Sequence, residues 1–101
     1  MKTFTTQVDS CKVNGTTLCG YVETTYDNIV KHLGEPVRTN GSKTNAEWFI
    51  EFEDGPVASI YDWKTNVCPK GVYRWHIGGH KMLVVERIAT ILDSPYIETP
   101  F

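Results

Sequence analysis

The run Glu47-Trp48-Phe49-Ile50-Glu51-Phe52, closed by Glu53-Asp54-Gly55 and followed by Pro56 and an apolar return, constrains the fold more than any other stretch. Apolar Trp48, Ile50 and Phe52 alternate with Glu47, Phe49 and Glu51, the period of a strand with one buried face. A three-residue loop ending in Gly fits a type I turn with a glycine bulge. That register sets Phe52 opposite Pro56, Ile50 opposite Ala58 and Trp48 opposite Ile60, with all six on the core side. Glu47, Phe49, Glu51, Val57, Ser59, Tyr61 and Trp63 then share the other face. A two-residue Asp-Gly turn would slip the register and carry Ser59 and Tyr61 to the core side, so the bulged form segregates apolar from polar better.

The remaining elements are built around this hairpin. Asn14-Gly15 is a tight-turn signal that predicts flanking strands over 6–13 and 17–22. Thr24 or Thr25 opens a helix, with Asp27 three residues after Thr24 in the manner of a capping box. Tyr26, Ile29, Val30 and Leu33 fall on one helical face, and Gly34 with Glu35-Pro36 ends the helix. The 39–45 stretch is a polar loop without an apolar residue, and 66–71 is a second loop broken by Pro69 and Gly71. A strand over 72–77 places Tyr73, Trp75 and Ile77 on one side and Arg74 and His76 on the other. Gly78-Gly79 then reads as a turn into a helix over 80–92, whose stripe of Val84, Val85, Ile88, Ile91 and Leu92 suits packing on a sheet. The expected fold is α+β: an antiparallel sheet of about four to five strands with two helices packed on one face. At 101 residues one hydrophobic core fills the chain, so 1–101 is a single domain, with 94–101 a candidate arm onto a partner subunit.

A formal charge of −2 gives no general attraction for duplex DNA or an anionic membrane, so any bound anion must meet a local cluster of donors. No run approaches the ~18 apolar residues of a membrane-spanning helix, and the first ten residues carry no apolar signal segment. Cys11, Cys19 and Cys68 are odd in number and at no metal-like spacing, the pattern of reduced thiols in a cytoplasm.

The three histidines, His32, His76 and His80, accompany no nucleophile motif, and no catalytic residue is expected. His76 and His80 have the spacing of paired metal ligands, but the two glycines between them should make the rings diverge, and no metal is expected. Glu47, Glu51 and Asp62 read as repelling acids on a solvated face and not as a general acid–base pair. Tyr61-Asp62-Trp63-Lys64 and Tyr73-Arg74-Trp75-His76-Ile77-Gly78-Gly79 interleave aromatic rings with cations, a pattern that suits stacking on a base with a phosphate nearby. Gly78-Gly79 opening a helix would present backbone N–H groups to an anion. The alternative is that the three tryptophans fill the core and Gly-Gly only turns the chain.

Gly20-Tyr21, Thr25-Tyr26-Asp27-Asn28-Ile29-Val30, Leu33-Gly34-Glu35-Pro36, 46–55, Ala58-Ser59-Ile60-Tyr61-Asp62-Trp63-Lys64 and Trp75-His76-Ile77-Gly78-Gly79 together resemble a family of small bacteriophage proteins, over most of the chain from Val13 to Leu92. That resemblance implies an anti-CBASS sponge: a non-enzymatic immune-evasion protein that sequesters cyclic dinucleotide signals in the host cytoplasm without cleaving them, and needs no cofactor. For such a ligand Tyr26, Trp63 and Trp75 are the expected base platforms, and Tyr61 and His76 are further expected ligand-binding residues. Lys43, Lys64 and Arg74 are the expected phosphate contacts, and Ser42, Thr44, Gly78 and Gly79 the neutral donors. A ligand this size is hard to enclose in one small domain, so a homodimer is expected, with Phe49, Val57, Tyr61 and Phe101 as candidate seam residues. Three other readings remain at this point: a single-stranded nucleic-acid binding module, a hydrolase of the same cyclic nucleotides with His76 or His80 as acid or base, and a protein–protein inhibitor of a host factor.

Overall fold

A computed structural model describes residues 4–6, 16–36, 46–62 and 71–98. Its elements, in chain order, are β1 (Phe4–Thr5), β2 (Thr17–Thr24), α1 (Tyr26–Leu33), β3 (Glu47–Phe52), β4 (Val57–Tyr61), β5 (Tyr73–Gly79), α2 (Leu83–Leu92) and β6 (Tyr96–Glu98). Among the described residues the strands form one antiparallel sheet in the order β1-β3-β4-β5-β2-β6. The class is therefore α+β as expected, with six described strands where the sequence suggested four or five.

The central hairpin adopts the bulged register. Trp48 pairs with Ile60 and Ile50 with Ala58. The Phe52 amide donates to the Pro56 carbonyl at 2.8 Å, and the Gly55 amide donates to the Phe52 carbonyl at 2.9 Å. Gly55 sits at φ 115°, a backbone state that excludes a side chain without strain, which is why the loop ends in glycine. The register sends Trp48, Ile50, Phe52, Ala58 and Ile60 into the core.

Both helices cover that same side. Thr25 caps α1 by accepting from the Asn28 amide at 3.1 Å, and Ile29 and Leu33 turn inward. The cap is thus Thr25, and Asp27 lies in the first turn, where its charge suits the helix dipole. Asn28 ties the two helices together: its side-chain amide donates to Thr24 Oγ1 and to the Leu92 carbonyl, each at 2.8 Å. From α2, Val84, Val85, Ile88 and Leu92 complete the core over β2 and β5.

Three expectations are corrected. Gly78 and Gly79 make no turn; they continue β5, paired on one side with Leu18 and Thr17 and on the other with Ser59 and Ala58. The helix begins at Leu83 and not near residue 80, with no side-chain cap at Met82. Residues Tyr96–Glu98 of the expected arm form β6 on this chain's own β2. The Asn14-Gly15 turn lies outside the described residues.

Candidate functional site

Of the two sheet faces, the one turned away from the helices gathers the chemistry. The register aligns one residue from each of four neighbouring strands in a row: Glu47 opposite Tyr61, Tyr61 opposite His76, and His76 opposite Tyr21. The Tyr61 and His76 rings stack at 5.3 Å and 27°, and Tyr21 meets His76 edge-on at 5.1 Å. The next row runs Phe49, Ser59, Gly78 and Leu18. A Cβ on Gly78 would lie 2.8 Å from Ser59 Oγ, so glycine leaves the space that this hydroxyl fills. Arg74, two residues along from His76 on the same face, is exposed and pairs loosely with Glu23 at 3.7 Å.

Electrostatics on this face follow from partial burial. Burial pushes the Glu47 carboxyl up from the usual range, and the negative charge of Asp62 adds to the shift. Burial also raises the Tyr61 phenol, with Glu47 contributing next. For His76 burial disfavours the cation and lowers the pKa, while Asp62 opposes that shift. Nδ1 of His76 is buried and has no hydrogen-bond partner among the described residues. Asp62 is itself fully buried at the end of β4, where it accepts from the Ala46 amide at 3.1 Å and braces the start of β3.

The structure brings together four of the expected site residues on this face: Tyr61, Arg74, His76 and Gly78. It sends Trp75, Tyr26 and Gly79 to the opposite, helix-bearing side. Trp75 is 0% exposed, wedged edge-on between Trp48 at 5.5 Å and Tyr73 at 5.1 Å, and its Nε1 donates to the Thr24 carbonyl at 3.1 Å. Its assignment as a base platform is therefore corrected: no ring face is left to stack on. Tyr26 packs edge-on against Trp48 at 5.6 Å, and its hydroxyl donates weakly to Glu35 at 3.5 Å. Gly79 lies under Val84, and the amides of both glycines sit within the sheet and not at a helix N-terminus. Ser42, Lys43, Thr44, Trp63, Lys64 and the seam residue Phe101 lie outside the described residues.

Sequence reasoning missed Tyr21 as a member of the row and read Glu47 as a solvated acid. The alternation of Tyr21 and Glu23 carried a signal, but a register shift between Leu18 and Gly20 breaks the phase of β2. Among the described residues no group of three or more His, Cys, Asp or Glu side chains is placed to hold a metal ion. On the helix side a groove of about 750 Å³ lies between the β3–β4 turn and α2, floored by Phe52, Leu83 and Ile91. There Arg87 makes a two-pronged ion pair with Asp54, at 2.6 and 2.8 Å, over the Phe52 ring. No protein-family model, curated protein or solved structure matches this chain.

Proposed function

We propose that this chain binds and sequesters a cyclic dinucleotide, or a related cyclic nucleotide immune signal, and holds it without cleaving it. The supporting observation is the half-buried row Glu47–Tyr61–His76–Tyr21, which joins stacked rings to a carboxylate and an imidazole whose buried nitrogen has no partner. Flat π-faces with hydrogen-bonding groups at their edge are what a nucleobase requires. Arg74 is the phosphate contact on this face. Its exposed pairing with Glu23 is held by little energy and exchanges readily for a phosphate. Lys43, Lys64, Ser42, Thr44 and Trp63 keep their proposed roles as phosphate donors and ring platform. A second copy of the chain closes the pocket over this face, with Phe49 and Tyr61 at the seam; Val57, expected there, is only 6% exposed and is left out. The site of action is the cytoplasm of a phage-infected host.

The test is calorimetric titration of the purified chain with a panel of cyclic dinucleotides and cyclic ADP-ribose isomers. Bound ligand is then released by heat and chromatographed. Binding with intact recovery is the expected outcome. Recovery of a cleaved product would make the chain a hydrolase, and no heat with any ligand would refute the proposal.

A further inference from the structure

Glu47 is an unusual residue for the row it occupies. It is half buried beside the Tyr61 ring, and Asp62, a second carboxylate, raises its pKa further. Among the described residues it makes no hydrogen bond or ion pair. A partly desolvated carboxylate is disfavoured unless donors reach it, so an unmatched one on a binding face marks where a ligand's donors belong.

A carboxylate accepts only, through two oxygens side by side. Its best partner is a flat group with two adjacent N–H donors, which forms two parallel charge-assisted bonds. Among nucleobases guanine has that edge, in N1–H and the exocyclic amino group. Adenine puts a ring acceptor beside its amino group, and a carboxylate repels that acceptor. Cytosine likewise offers a lone amino donor next to an acceptor, and uracil a single N–H between two carbonyls. The third group on the guanine edge, O6, is an acceptor. His76 suits it: with Nδ1 buried and unbonded, a proton on Nε2 leaves a lone pair and not an N–H donor without a partner.

We infer that the base this chain holds against the Tyr61–His76 row is guanine, bound through its N1–H and amino group by the Glu47 carboxylate. The inference rests on the binding function proposed above and adds the identity of the base.

Calorimetry with cyclic di-GMP, cyclic GMP–AMP, cyclic di-AMP and cyclic di-inosine monophosphate tests it on the unaltered chain. Guanine-containing ligands should bind roughly 10- to 100-fold more tightly than cyclic di-AMP, the discrimination expected of one two-bond base contact. The inosine ligand, which lacks the amino group, should fall between them. Glu47→Gln should lose most of the guanine preference while its thermal transition stays at or above that of the parent, because the repulsion with Asp62 is removed. Equal or tighter binding of cyclic di-AMP overturns the inference and leaves the binding function standing. A guanine preference unchanged in Glu47→Gln also overturns it. No binding by any of the four refutes the underlying function instead.

Discussion

Replacing Gly79 by alanine tests the account of the Gly-Gly pair as strand and not turn. Gly79 has no positive φ, so alanine introduces no backbone strain there; the whole effect must come from the added methyl group. That methyl would lie 2.7 Å from Val84 Cγ2, 3.4 Å from the Val57 carbonyl oxygen and 3.6 Å from Cys19 Sγ. Val84 is fully buried and stiff at χ1, so it cannot swing aside. Overpacking of this kind costs about 1–3 kcal/mol. The lower chain entropy of alanine in a strand returns about 0.5–1 kcal/mol. The net at the middle of these ranges is a loss of about 1 kcal/mol, which for a domain of this size lowers the midpoint of thermal unfolding by roughly 4–8 °C. Val84→Ala alone removes two buried carbons at about 0.8 kcal/mol each, plus a cavity term. Combined with Gly79→Ala, the new methyl moves into the vacated space, so the double variant should be more stable than the sum of the singles by about 1–2 kcal/mol. Urea unfolding of the four proteins measures the coupling. Full additivity, or a Gly79→Ala variant as stable as the parent, would refute the packing argument.

Two further stability predictions concern pH and the link between the helices. Burial keeps the His76 imidazole neutral among Tyr21, Tyr61 and Tyr73 and outweighs the opposing charge of Asp62, so its folded pKa lies below the unfolded value. As the pH falls through about 6.5, the unfolded ring takes up a proton first, and stability declines until the folded ring protonates as well. His76→Asn should flatten that decline in urea titrations across the interval. Glu47 acts with the opposite sign: its raised folded pKa favours the folded state at low pH, and that contribution fades as the pH rises above about 4.5 and through the folded value. An identical pH profile in His76→Asn would contradict the assignment. Asn28→Ala removes the bonds from its side-chain amide to Thr24, Leu92 and Ser94, and leaves the Leu92 carbonyl with the Ser94 hydroxyl as its side-chain donor. A loss of about 1–3 kcal/mol in chemical denaturation is expected.

Legibility in the sequence tracked how local the determining physics was. Turn chemistry and alternation together set the register of β3 and β4, because Asp54-Gly55 permits few loop geometries and a one-residue slip would place Ser59 and Tyr61 with the core. The α1 boundaries were legible for the same reason, with a Thr cap before the helix and glycine after it. The glycines of β5 were not, since a Gly pair looks the same whether it turns the chain or lets two layers approach, and only the position of Val84 and Ser59 distinguishes the two. The start of α2 has no side-chain cap to announce it. Trp75 was open to correction from the sequence itself. Alternation along β5 already set Trp75 opposite to Arg74 and His76, so these residues were never able to contact one ligand from one side.

The same alternation explains how the site depends on the fold. Each member of the row comes from a different strand, and their alignment needs three registers to hold at once: β3 on β4, β4 on β5, and β5 on β2. The first is fixed by a glycine at φ 115° in the turn. The second is helped by Gly78, which accommodates the Ser59 hydroxyl across the strand pair. The third contains the irregularity between Leu18 and Gly20, beyond which Tyr21 falls on the same face as His76. A regular β2 would put Tyr21 out of phase with Leu18, so the bulge lets both residues join the outer face while Cys19 turns into the core. The devices that keep the sheet packed against its helices are therefore the ones that assemble the rings and the carboxylate on its far side.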